Sequence, residues 1–197
     1  MNLPNKLTVA RFILTPLFMA VMMIDFPYHY FVGFVIFIVA SITDYFDGKI
    51  AREQNLITNF GKFLDPIADK ALTTAAYIIF CFEHIGTGIE WVLFIVLLRE
   101  FVVTSVRLAA ADSGKVVAAN IYGKIKTVAQ MITIGTITFF MGVLREFGAL
   151  MPREIFIAGV KTFDVGSSAL LWISAILTLI AGVTYIIDNK EFINSNK

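Results

Sequence analysis

Residues 44–69 read DYFDGKIAREQNLITNFGKFLDPIAD. Four aspartates fall in this stretch, and the chain on either side of it is apolar enough to cross a membrane. Asp44 and Asp47 are three residues apart, so on a helix they share one face. Asp65 and Asp69 are four apart and share a face of the next helix. The connection between the pairs is short, which predicts two antiparallel neighbouring helices with both pairs at the same end. Four carboxylates then converge on one small volume, where they repel and favour protonation. Two divalent cations would neutralise them. All-oxygen ligation suits hard ions, Mg²⁺ or Mn²⁺, and a pair of such ions can clamp a reacting phosphoryl group.

The residues around the aspartates fit the same picture. Gly48, Ala51 and Gly61 leave room beside the helix backbone for a bulky ligand. Arg52 offers a fork of donors suited to phosphate. Pro66 is expected in the first turn of its helix, where a missing N–H costs least. Taken singly, an aspartate near a helix end is a cap or a solvated group, and a small residue in a membrane helix serves packing. Four acids in ordered spacing inside a membrane-spanning region read instead as a functional site.

Composition agrees with a membrane setting. Of the 197 residues, 58% are hydrophobic and only 16% charged, against about a quarter charged in a soluble domain. Six stretches are long and apolar enough to span a bilayer, at roughly 8–25, 31–53, 66–85, 90–111, 123–145 and 167–188. The first contains Pro16 and has no cleavage site after it, so it reads as a retained helix. The mixed region 147–166 is expected to lie as an amphipathic helix on the membrane surface. Cys81 is the single cysteine, which excludes an intramolecular disulfide and a cysteine metal cluster.

Basic residues set the orientation. Lys6 and Arg11 flank the first helix, and Lys49, Arg52, Lys62 and Lys70 the 2–3 connection. Lys115, Lys124 and Lys126 flank the 4–5 connection, and Lys190 and Lys197 follow the sixth helix. The other side has Arg145, Arg153 and Lys161. The reading is therefore an all-α integral membrane protein with six transmembrane helices, forming one transmembrane catalytic domain over residues 1–197. Both termini and the aspartates face the cytoplasm.

The pattern D44-x-x-D47-G48-x-x-A51-R52, eight further residues, then G61-x-x-x-D65-x-x-x-D69 resembles the signature of the CDP-alcohol phosphotransferases at all eight defining positions. The resemblance implies the six-helix fold of that family and a homodimer in the bacterial cell membrane. It implies displacement of CMP from a CDP-linked substrate by an alcohol. In that family, Asp44, Asp47, Asp65 and Asp69 would hold two metal ions, with Asp69 also serving as general base. Gly48, Ala51, Arg52 and Gly61, together with Asp44, would contact the CDP moiety.

Three further stretches narrow the choice. The opening NLPNKLTVAR resembles the start of bacterial phosphatidylglycerophosphate synthases, which would put Asn5 and Thr8 near the nucleotide. The alternative is a plain helix start, with Asn5 or Thr8 as N-cap. LREFVVTSVR at 98–107 and GKIKTVAQ at 123–130 resemble the same branch. Membrane-edge lysines can snorkel, and Arg99 can pair with a buried carboxylate such as Glu100. Lys115 is read that way. Arg107, Lys124 and Lys126 are expected instead at the depth of the aspartates, as a site for an acceptor phosphate.

The implied substrates are CDP-diacylglycerol, held in the membrane lipid, and sn-glycerol 3-phosphate from the cytoplasm; no nucleic-acid partner is expected. The rival acceptors within the family are inositol phosphate and, for a cardiolipin synthase, phosphatidylglycerol. A cation transporter is the rival from another class. Against it stand the lack of an internal repeat and the clustering of acids at one face.

Overall fold

The computed structural model describes residues 2–53, 59–112 and 121–190, with side chains described for these except 3, 4, 45–49, 51–53, 59–63, 65, 66, 69, 111 and 112. The described residues form six α-helices and no strand: α1 Leu3–Met23, α2 His29–Glu53, α3 Asn59–Phe82, α4 Ile89–Asp112, α5 Ile121–Phe147 and α6 Arg153–Asp188. The all-α expectation with six helices therefore holds, while several boundaries move.

Helix α1 starts before Asn5. Its N-cap is Asn2, whose side chain accepts from the Asn5 backbone N–H at 3.2 Å, with Pro4 in the first turn. Neither Asn5 nor Thr8 is the cap. Helix α3 also starts early, at Asn59, so Pro66 lies within the helix and not in its first turn. The reason is legible afterwards. Phe60, Phe63, Leu64, Ile67 and Ala68 follow the i, i+3, i+4, i+7, i+8 pattern of one helical face, which carries the helix upstream of the proline.

The largest departure is at the C-terminal end. The expected surface helix in 147–166 is not a separate element. A short 3-10 turn, Gly148–Leu150, and Pro152 precede α6, which then runs without a break for 36 residues, roughly 54 Å at 1.5 Å per residue. The expected sixth span begins at 167, after Gly166. In the helix, however, the Ser167 and Ser168 hydroxyls both donate to the Asp164 carbonyl, at 3.1 and 2.8 Å, and the chain continues.

Helix α3 supplies much of the core. Ala68, Leu72, Ala75, Ala76, Tyr77, Ile79 and Phe80 are all buried on it. The alanines let neighbouring helices approach, and α1 packs on both α2 and α3. Phe18 and Met22 of α1 and Phe37 of α2 complete the core on that side; Ile134 and Ile137 of α5 and Leu171 of α6 do so on the other. Helices α2 and α3 touch each other less than each touches α1 among the described residues. Hydroxyl and amide bonds stitch the interior, as in Tyr77 with Ser174 at 3.1 Å and Gln130 donating to Thr178 at 3.4 Å.

Outside, the bundle is apolar: Phe12, Trp91, Phe101, Leu108, Ile173 and Ile176 are exposed. Asn5–Met23, Ile121–Leu150 and Arg153–Asp188 are long and apolar enough to cross a membrane. Within α2 and α3, the apolar segments His29–Asp44 and Lys70–Phe82 flank the aspartate stretch. Three long apolar helices in an apolar sheath make this a multi-pass membrane protein.

Candidate active site

The aspartate stretch straddles α2 and α3. Asp44, Asp47, Gly48, Ala51 and Arg52 lie on the C-terminal part of α2, and Gly61, Asp65 and Asp69 on the N-terminal part of α3. Of these residues only Asp44 has a described side chain; the side chains of Asp47, Ala51, Arg52, Asp65 and Asp69, and so the convergence of the motif, lie outside the described residues.

Asp44 meets a buried cation. Arg11 of α1, 2% exposed at its side chain, places Nη1 2.5 Å from Asp44 Oδ1. Asn5 and Thr8 are buried along the same helix, at 7% and 2% exposure. Spaced by three, Asn5, Thr8 and Arg11 form a polar stripe on one face of α1. The structure thus brings both predicted nucleotide contacts on α1 into line with a residue that pairs with the first aspartate. Sequence reasoning counted Arg11 only as a topology signal. Its position two helical intervals beyond Asn5 was the cue that could have found it.

No group of three or more acidic, histidine or cysteine side chains suited to a metal occurs among the described residues. The donor set of the stretch itself, four carboxylates on two consecutive helices, is the chemistry that hard divalent cations take.

A second cluster begins one residue after Asp69. Lys70 of α3 donates from Nζ to the Thr104 hydroxyl, and its Nζ lies 3.7 Å from Glu100 Oε2. The other carboxylate oxygen, Oε1, accepts from Arg99 Nη1 at 3.0 Å and from Lys126 Nζ. Thr104 in turn donates to the Glu100 carbonyl at 2.7 Å. Three helices, α3, α4 and α5, therefore meet at one carboxylate. Gly182 leaves the room that the Arg99 stem occupies. A Cβ at Gly182 of α6 would stand 2.9 Å from Arg99 Cγ, and one at Gly123 of α5 3.8 Å from its Nη2.

The three expected acceptor residues fall into different surroundings. Lys126 is buried in the Glu100 cluster. Arg107 donates to the Tyr185 hydroxyl at 3.3 Å, its guanidinium 5.8 Å from that ring's centre. Lys124 is exposed. Arg99 does pair with Glu100, its neighbour on α4. Lys70 and Glu100 were not singled out as site residues from sequence; Lys70's place directly after Asp69 was the available signal.

Residues 1–180 match the CDP-alcohol phosphatidyltransferase family. The chain belongs to that family. It is 38% identical to the CDP-diacylglycerol–glycerol-3-phosphate 3-phosphatidyltransferase of Bacillus subtilis (strain 168), over 99% of this chain and 98% of the relative. Relatives of the same name in Rickettsia bellii (strain RML369-C) and Salmonella typhimurium (strain LT2) are 36% and 34% identical. Those alignments cover 97% of both chains in the first case, and 87% of this chain and 90% of the relative in the second.

Proposed function

We propose that this protein transfers the phosphatidyl group of CDP-diacylglycerol to sn-glycerol 3-phosphate, giving phosphatidylglycerol phosphate and CMP. Near-full-length similarity to relatives named for that reaction supports the enzyme class. The observation that carries the acceptor half is the Glu100 cluster. Lys70, Arg99 and Lys126 surround one carboxylate, so among the described residues the cluster holds an excess of positive charge at side chains only 8–36% exposed. Cations so placed call for an anion, and a phosphate carried by the acceptor supplies it.

The roles follow. Asn5 and Thr8, with Asp44, Gly48, Ala51, Arg52 and Gly61, hold the CDP moiety, its diacylglycerol tails remaining in lipid. Asp44, Asp47, Asp65 and Asp69 hold two divalent cations, Mg²⁺ or Mn²⁺, which when bound offset charge on the pyrophosphate. Lys126, with Lys70 and Arg99 beside it, takes the acceptor phosphate, and Arg107 and Lys124 are proposed as further acceptor contacts. Asp69 accepts the proton of the acceptor's 1-hydroxyl. That oxygen bonds to the β-phosphorus, the bond from this phosphorus to the bridging oxygen breaks, and CMP departs with the bridging oxygen. Transfer is direct, without a covalent enzyme intermediate. The whole chain acts as one transmembrane catalytic domain of six crossings, with termini and site on the cytoplasmic side and a homodimer as the assembly.

An acceptor screen tests the reading. Purified enzyme with CDP-diacylglycerol and Mg²⁺ or Mn²⁺ is expected to release CMP with sn-glycerol 3-phosphate. Release with inositol phosphate or phosphatidylglycerol in its place would move the protein to another branch of the family. Ion flux in liposomes without CMP release would make it a transporter.

A further inference from the structure

We infer that Glu100 is a positioning residue for the acceptor phosphate: it holds Lys126 and Arg99 in register from one oxygen and ties Lys70, beside Asp69, from the other. The inference rests on the acceptor reading above. Its ground is the division of labour between the two carboxylate oxygens. Oε1 receives Arg99 and Lys126, and Oε2 faces Lys70 at 3.7 Å. The side chains of Glu100, Arg99 and Lys126 are only 15%, 11% and 8% exposed, so water screens these two cations little, whereas Lys70 is 36% exposed.

The geometry also fixes what each group can do. Arg99 is confined by close contact with Gly182 on α6, and its guanidinium ends near Gly123 on α5. Lys126 sits one turn further along α5 from Gly123. Glu100 is therefore the hinge between a cation fixed on α4 and one carried by α5. A glutamine at 100 would keep one acceptor oxygen and put an NH₂ donor near a cluster that is rich in donors already. It would also leave three like charges with no counter-charge from a described side chain of the cluster. Lys126 or Lys70 would turn away, and the acceptor phosphate would meet a disordered set of donors. Glu100 itself, a carboxylate, has no donor for phosphate and acts through its neighbours.

The test is steady-state kinetics of the full-length enzyme in detergent micelles with CDP-diacylglycerol. Glu100→Gln is expected to raise the KM for glycerol 3-phosphate roughly tenfold or more, with the KM for CDP-diacylglycerol unchanged. Glu100→Asp, which keeps the charge one methylene back, should recover most of that loss. In a double-mutant cycle, Glu100→Gln should add little once Lys126 is alanine. Equal rises in both KM values, or full additivity with Lys126→Ala, would reduce Glu100 to a fold-stabilising residue and overturn the inference. If Glu100→Gln does not fold, Glu100→Ala is read in its place on the same split of the two KM values. The failures are separable. An unchanged acceptor KM in Lys126→Ala overturns the acceptor site itself, whereas a raised one there with none in Glu100→Gln overturns only the role of Glu100.

Discussion

Helix α5 joins two charged clusters of opposite character. Near its start, Lys126 joins Arg99 and Lys70 around a single carboxylate, Glu100. Near its end, a single cation, Arg145, pairs with Asp25 and lies 4.0 Å from Glu146. The first cluster is cation-rich and sheltered. The second is acid-rich; Arg145 and Asp25 are open, at 41% and 78% exposed, while Glu146 is 15% exposed. At that end the polar groups serve the loops. Glu146 accepts from the Tyr28 backbone N–H at 2.9 Å, and the Trp172 ring N–H donates to the Thr87 carbonyl at 2.9 Å. Ser168 accepts from the Thr87 backbone N–H, and Gly86 and Gly88 turn the chain there with positive φ. Charge matched to loops with an open partner fits a structural role, whereas a cation-rich cluster beside an acidic motif is the surrounding that the proposed acceptor site uses.

Four perturbations would break or sharpen this contrast. Exhaustive chelation is expected to abolish CMP release, and Mg²⁺ or Mn²⁺ to restore it; full turnover without divalent ions would remove the metal reading of the four aspartates. Next in size is Asp69→Asn, for which kcat should fall about 10²- to 10⁴-fold. CDP-diacylglycerol binding, followed by titration, should weaken far less, and a near-normal kcat would show that Asp69 is not the base. Lys126→Ala should raise the KM for glycerol 3-phosphate about 10- to 150-fold, the worth of one charge-assisted hydrogen bond, and leave that for CDP-diacylglycerol alone. Arg145→Ala, at the other end, should shift stability by about 1 kcal/mol or less and leave both KM values unmoved. A large acceptor effect there would erase the distinction between the two ends.

The pair of buried Arg11 with partly exposed Asp44 teaches a related point. Arg11 counted in the sequence as one more cytoplasmic charge, yet the fold buries it and aims it at the first aspartate of the motif. Removing one member of a buried pair leaves the other uncompensated, and here that other member belongs to the proposed metal and nucleotide site. Its neighbours Asn5 and Thr8, singled out by resemblance, are buried on the same helix. The resemblance found two residues of the stripe and missed the third because a cation near a membrane edge has an ordinary explanation.

What the sequence by itself determined was local. The spacing of Asp44 and Asp47, and of Asp65 and Asp69, needs only helical geometry to be read, and the apolar runs needed only their length and composition. Helix boundaries were less legible because proline, glycine and serine act as punctuation only when the neighbouring pattern is weak. At Pro66 and at Gly166–Ser168 the helical pattern was stronger than the stop signal. The meeting of Lys70, Glu100 and Lys126 was decided by tertiary structure alone. Glu100 and Lys126 are 26 residues apart on different helices, and no periodicity along one helix reports which face of the next it will meet. That choice was made by packing: the small alanines of α3 and Gly182 of α6 let the helices approach until one carboxylate reached cations from three of them.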